Sequence, residues 1–137
     1  MDESIRGMKV DHIAIAVRDL GTAIRTYESI LGTECRQREV VESEQVETAF
    51  LKAGDSHVEL IAAFGPESAV IPFLEKRGEG LHHIAFTVDD LEEETQRLVT
   101  SGFHILNEPV RGAGGKRIVF LRPSDCHGVL VELCQPI

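Results

Sequence analysis

Two histidines and two glutamates stand at matching places in the two halves of this chain of 137 residues. His12 lies in Asp11-His12-Ile13-Ala14-Ile15-Ala16-Val17, and His83 lies in His82-His83-Ile84-Ala85-Phe86-Thr87-Val88, 71 residues later. Glu59 lies in Val58-Glu59-Leu60-Ile61 and Glu132 in Val131-Glu132-Leu133-Cys134, 73 residues apart. Two imidazoles and two carboxylates form a donor set for a divalent cation, and duplication of one pattern explains how four ligands arise together. A buried carboxylate without a partner is costly, so an inward Glu59 or Glu132 calls for a cation. A single strand histidine reads better as a satisfied core residue. Four repeat-related donors, in phase with small residues, read as a metal site.

Strands must carry all four. In residues 9–17, Ile13, Ile15 and Val17 share one face, and His12, Ala14 and Ala16 take the other. The first face suits packing under helices; the second leaves room for a ligand beside the histidine. Asp19 is a good N-cap for a helix in which Leu20, Ala23, Ile24, Tyr27, Ile30 and Leu31 recur at helical spacing, and Gly32 ends it. Strands are predicted over residues 34–41, 46–53 and 56–62, with a polar turn at 42–45 and a Gly54-Asp55 hairpin turn. In the connecting residues 64–80, Gly65-Pro66 breaks the chain and Ser68 caps a short helix through Arg77. Val70, Ile71, Phe73 and Leu74 there demand burial. The second half repeats the order. A strand over 81–88 leads to Asp89-Asp90 and a helix whose buried stripe is Leu91, Thr95, Leu98 and Val99, ended by Gly102. Strands follow at 104–107, 117–122 and 128–134, around a glycine-rich loop at 109–116. Residues 1–8 are a lead-in. The expectation is an α+β chain, a single domain over 1–137, made of two tandem β-α-β-β-β modules. They span about 9–63 and about 81–137, with the connector at about 64–80.

The other reactive side chains read as ordinary. Strand alternation sends His82 to the face opposite His83, where a structural or supporting use fits better than ligation. His57 shares the face of Glu59 near the rim, while His104 and His127 are peripheral. Cys134 shares the face of Glu132 and can line the cavity. Cys35, Cys126 and Cys134 form no C-x-x-C pair, which fits reduced thiols. Lys and Arg total 14 against 23 Asp and Glu, a net charge of −9, which argues against nucleic acid as a partner but not against a small anionic ligand held by a local cluster. Apolar content of 42% with 27% charged residues marks a globular protein. No apolar run approaches the ~20 residues of a membrane span, and the first residues read as neither a signal nor a transit segment. No membrane partner and a cytoplasmic location are the expectations.

Six stretches carry a family resemblance: residues 11–17, Ala49-Phe50-Leu51, Val58-Glu59-Leu60, residues 73–85, Gly112-Ala113-Gly114-Gly115-Lys116, and residues 128–134. With a histidine on each first strand and an acid on each fourth, they resemble the vicinal oxygen chelate (glyoxalase/bleomycin resistance/dioxygenase) superfamily. Within it they are most similar to the methylmalonyl-CoA epimerases, over nearly the whole chain. The resemblance implies an eight-stranded cup around a divalent metal held by His12, Glu59, His83 and Glu132. It also implies a homodimer and an acyl-CoA substrate.

The implied reaction interconverts 2R- and 2S-methylmalonyl-CoA by removal and return of the C2 proton through a metal-stabilised enolate. Four protein ligands leave two cis positions on an octahedral ion, which a bidentate substrate needs; cobalt, manganese, magnesium or zinc can serve. Glu132 is the family's candidate for one base. The second base aligns with Thr48, which cannot act as one at neutral pH, and alternation sends Glu47 to the opposite face. A metal-bound water, Glu59 or a less symmetric mechanism are the alternatives. The loop containing Gly114, Gly115, Lys116 and Arg117 lacks the Ser or Thr of a phosphate loop. It reads either as a plain hairpin or as backbone close to the acyl group, with its basic residues near the coenzyme A phosphates. Two further functions fit the scaffold: a glyoxalase I-like isomerase acting on a thiol hemiacetal, and a metal-free small-molecule-binding protein, against which the His/Glu set counts. Turnover of methylmalonyl-CoA against methylglyoxal plus thiol separates the enzymes, and a metal assay addresses the binding protein.

Overall fold

Strands with one bulky face need a cover on that face, and two helices supply it. The computed structural model describes residues 7–137, so most of the lead-in expected over 1–8 lies outside the described residues. The chain runs β1 (Lys9–Ala16), α1 (Leu20–Leu31), β2 (Gln37–Val41), β3 (Val46–Ala53), β4 (Ser56–Ala63) and α2 (Val70–Arg77). It continues with β5 (Gly80–Thr87), α3 (Leu91–Thr100), β6 (Val110–Arg111), β7 (Lys116–Leu121) and β8 (Val131–Pro136). The eight strands make one sheet in the order β2-β3-β4-β1-β5-β8-β7-β6. β1 and β5 meet antiparallel at its centre, with β4 parallel to β1 and β8 parallel to β5. The two modules therefore face each other about a pseudo-twofold axis between β1 and β5. The sheet curls into a half-barrel: the N–H of Gly114, in the loop before β7, donates to Glu39 on the far edge strand β2 at 2.9 Å.

Alternation sorts the side chains between the two faces. On the outer face, α1 packs Leu20 and Ile24 on Ala49, Leu51, Leu60 and Ala62. Its start is fixed by Asp19, whose carboxylate accepts from Thr22 N–H, and its end by Gly32 in the left-handed region at φ 68°. α3 does the same for the second module, with Leu91 and Leu98 on Val119, Leu121 and Leu133. α2 sits instead against the inner-face residues Ala14, Ala16 and Ile61 and plugs one end of the cup. Leu60 is fully buried between β4 and α1. Leu60→Ala is expected to lower unfolding stability by about 2–5 kcal/mol, read from denaturant midpoints, since it removes packed methyls and leaves a void.

Four expectations are corrected. Residues 104–107 make no strand, only an isolated bridge from Ile105 to Leu121. There the Asn107 amide replaces the main-chain ladder, accepting from Phe120 N–H at 2.8 Å, and the sixth strand forms immediately after Pro109, as the two residues Val110–Arg111. Val99 on α3 and Ile30 on α1 face solvent, at 48% and 66% exposure, because each helix turns only one narrow stripe to the sheet. α2 begins at Val70, with the Ser68 hydroxyl accepting from its N–H at 3.2 Å. The last strand begins at Val131, after the turn that carries His127 and Gly128 at positive φ.

Candidate metal centre

Register places the four candidate ligands before any side chain is considered. Ala14 on β1 lies between Glu59 of β4 and His83 of β5. Ala85 on β5 lies between His12 of β1 and Glu132 of β8. Residues in register on adjacent strands share a face, so all four polar groups point into the cup around two alanine methyls. The histidines' Nε2 atoms stand 3.3 Å apart. Glu59 Oε1 is 3.1 Å from His12 Nε2 and 3.6 Å from His83 Nε2. Glu132 Oε1 is 3.1 Å from His83 Nε2, and its Oε2 is 3.8 Å from His12 Nε2. None of the four residues is more than 5% exposed. His12, Glu59 and His83 each bring a ligand atom within 4.8 Å of the others, and Glu132 joins through both imidazoles.

The donor set fits a cation. Bonds of about 2.1 Å separate neighbouring ligand atoms by about 3.0 Å at right angles and about 3.4 Å in a tetrahedron, and the spacings above fall around those values. Two buried carboxylates facing each other across two imidazoles need positive charge. Without an ion, His12 supplies it. Its burial works against protonation, but hydrogen bonds to Asp11 and Glu59 and the charges of Glu59 and Glu132 win, holding its pKa up at about 9. The sign follows: below pH 9 the ion-free centre carries a proton that a bound cation must displace. Cobalt affinity is therefore expected to rise about tenfold per pH unit from pH 6 to 8 and to level off above pH 9. Titrations in buffers of different ionisation enthalpy should count one proton released.

Aromatic walls repeat as the ligands do. Phe50 meets the His12 ring edge-on at 5.8 Å, and Phe120 meets His83 at 5.6 Å. Behind the ligands, alternation fails in a useful way. His82 does not cross to the opposite face. A β-bulge leaves it unpaired between the pairs Ala14–His83 and Ile15–Leu81, which shifts the strand's phase. The His82 Nδ1 consequently lies 2.9 Å from His83 Nδ1. Burial first, then the neighbouring His83, hold the His82 pKa down at about 4, so its ring is neutral at pH 7.

Other predicted residues are distributed as follows. Cys134 is buried on the inner face, and burial raises its thiol pKa to about 12. The Lys116 ammonium reaches inward to Asp11 at 2.5 Å, whereas Arg117 turns outward and pairs with Glu92 on α3. Gly114 and Gly115, at φ 74° and 68°, form the tip that meets Glu39. Thr48 points into the cavity with a buried, unpartnered hydroxyl, and Glu47 turns away to Arg38 at 3.2 Å.

One residue escaped the sequence reading. Glu44, in the turn between β2 and β3, faces the same small cavity as His12, Glu59, Glu132 and Thr48. Glu44 is exposed on its outer side, but desolvation at the cavity first, then the charges of Glu132 and Glu59, raise its pKa from the ordinary glutamate value. Gln45 braces this turn: its carbonyl accepts from Phe64 N–H at 2.8 Å and its side chain from Glu67 N–H at 2.9 Å. Any side chain at Gly65 would strike it, a Cβ lying 2.2 Å from Gln45 Oε1. Strand periodicity says nothing about where a turn residue points, which is why Glu44 gave no signal.

The cavity beside the donor set measures only about 30 Å³, room for an ion and little more. Beside it, past His82 and His83, opens a larger cleft of about 460 Å³, mostly apolar. Phe73, Leu81, Val129 and Leu130 line it, and Lys76 and Arg77 stand at its side.

Comparison with known proteins gives three kinds of match. The glyoxalase/bleomycin resistance protein/dioxygenase superfamily matches residues 11–120. Among curated proteins, YqjC of Bacillus subtilis, described as uncharacterized, is 43% identical over 93% of this chain and 92% of its own. The ethylmalonyl-CoA/methylmalonyl-CoA epimerase of Cereibacter sphaeroides is 37% identical over 93% of this chain and 97% of its own. Among solved structures, a variant of Streptomyces coelicolor methylmalonyl-CoA epimerase in complex with 2-nitronate-propionyl-CoA superposes with a TM-score of 0.89. It is 39% identical, over 95% of this chain and 96% of that one.

Proposed function

This chain belongs to the glyoxalase/bleomycin resistance protein/dioxygenase superfamily, and we propose that within it the protein is a metal-dependent epimerase of methylmalonyl-CoA. One observation carries the reading: two carboxylates, Glu132 and Glu44, face a single cavity that His12 and Glu59 of the donor set also line. Inverting a carbon centre requires one group to take a proton from one side and another to return it on the other. The two epimerases named above, each similar over most of this chain, agree with it.

A divalent cation held by His12, Glu59, His83 and Glu132 would supply Lewis-acid stabilisation for the charge that builds on the thioester oxygen as the C2 proton leaves. This chain's residues do the rest. Glu132 is the base on one side of C2. Glu44, with its raised pKa, is protonated more readily than an ordinary carboxylate and is the acid on the other side. Phe50 and Phe120 wall the donor set and keep water from it. The acyl arm lies in the apolar cleft, whose volume is that of a small-molecule site. Lys76 and Arg77, which line the cleft, would meet the phosphates of the coenzyme A that carries it. In the absence of a ligand Arg117 pairs with Glu92 and Lys116 with Asp11.

The test is exchange of the C2 proton of methylmalonyl-CoA in heavy water, followed by NMR, with the protein stripped of metal and then given cobalt. Exchange that requires cobalt supports the proposal; stoichiometric cobalt with no exchange overturns it and favours methylglyoxal plus thiol as the next substrate to try. The homodimer is proposed on family grounds alone, and light scattering checks it.

A further inference from the structure

The residue immediately before each ligand histidine sits on a β-bulge. Asp11 is left unpaired between Val10–Phe86 and His12–Ala85, and His82 between Ala14–His83 and Ile15–Leu81. The two bulges are 71 residues apart, the same offset as the histidines. Each returns to the inner face a side chain that plain alternation would send outward. Each then contacts the Nδ1 of the histidine that follows: Asp11 Oδ2 lies 2.7 Å from His12 Nδ1, and His82 Nδ1 lies 2.9 Å from His83 Nδ1.

We infer that Asp11 and His82 are a duplicated pair of positioning residues that fix the tautomer and ring angle of the two ligand histidines, and that they are unequal by design of the chain. A histidine that ligates through Nε2 must carry its proton on Nδ1, and that proton needs an acceptor. Asp11 offers a carboxylate oxygen; His82 offers a ring nitrogen. His12 is thereby the stronger electron donor of the two. The carboxylate is anchored as well: Thr87 Oγ1 donates to Asp11 Oδ1 at 2.9 Å, and Lys116 Nζ reaches Oδ2 at 2.5 Å. This gives Lys116 a role in the centre without contact to any phosphate. His82 is held by Phe73 of α2, edge-on at 4.9 Å, so the helix that plugs the cup also sets the second ligand.

The inference rests on the donor set binding metal and not on the identity of the substrate. It is tested with cobalt, by competition against a chelator and by NMR of the cobalt-loaded protein. Two exchangeable, hyperfine-shifted N–H signals are expected, one from each histidine Nδ1. His82→Leu should weaken cobalt binding about 10–100-fold and abolish one of the signals while leaving the other. His82→Asn, whose Oδ1 can stand where Nδ1 stood, should restore both the signal and most of the affinity. Asp11→Ala should remove the other signal. Full affinity and both signals in His82→Leu would overturn the inference while leaving the centre intact, as would a loss that His82→Asn does not rescue. A wild-type protein that binds no cobalt would overturn both.

Discussion

Loaded with cobalt, the His83→Ala protein is expected to show only background exchange of the C2 proton and to have lost tight metal binding. The imidazole is one of two nitrogen donors, and its Nε2 lies within 3.6 Å of three of the other donor atoms: His12 Nε2, Glu59 Oε1 and Glu132 Oε1. Its removal should cost more than the ~10–100-fold that losing an outer partner costs. It also strips the centre of a nitrogen donor and leaves Glu59 and Glu132 facing His12 alone. A fold control is built in. His83 belongs to the inner face, while the cores under α1 and α3 lie on the outer face, so circular dichroism and cooperative unfolding should persist. Unchanged cobalt affinity in this variant would remove His83 from the ligand set.

The convergence of the four candidate ligands was legible because duplication writes the same pattern twice. Neither His12 nor Glu59 is informative alone; each becomes so through its counterpart. The alternation of β1 gave the correct inner face, and the alanines at 14 and 85 are small because the ligands close over them. Alternation also misled at the next residue. It holds only while the ladder is regular, and His82 lies on a bulge that one-dimensional periodicity does not reveal. A clue was present: Asp11 and His82 are polar at equivalent repeat positions, just as the ligands are. Glu44 was hidden for a different reason. Its direction is set by a turn that closes through Glu44 N–H to Val41 and is braced by Gln45 against residues 64–67, contacts that no local pattern encodes. The sixth strand was misplaced because a side chain, Asn107, stands in for backbone pairing.

Glu132→Gln separates ligation from proton transfer, and on the proposed function the separation should be large. Glutamine keeps an oxygen near His83 Nε2, at the place where Glu132 Oε1 sits at 3.1 Å, so cobalt should still bind, though more weakly. An amide is no base, and exchange at C2 should fall about 10²–10⁴-fold, the usual contribution of a placed general base. Glu44→Gln should behave differently. If the two carboxylates serve opposite sides of the carbon, one epimer will still exchange its proton through Glu132 while conversion to the other slows by a similar factor. Starting from each pure epimer in heavy water and following deuterium and chirality together resolves the two. Equal losses of exchange from both epimers in Glu44→Gln would reject the two-sided arrangement. Proton removal and return would then fall to Glu132 alone, with the turn serving only to close the cavity.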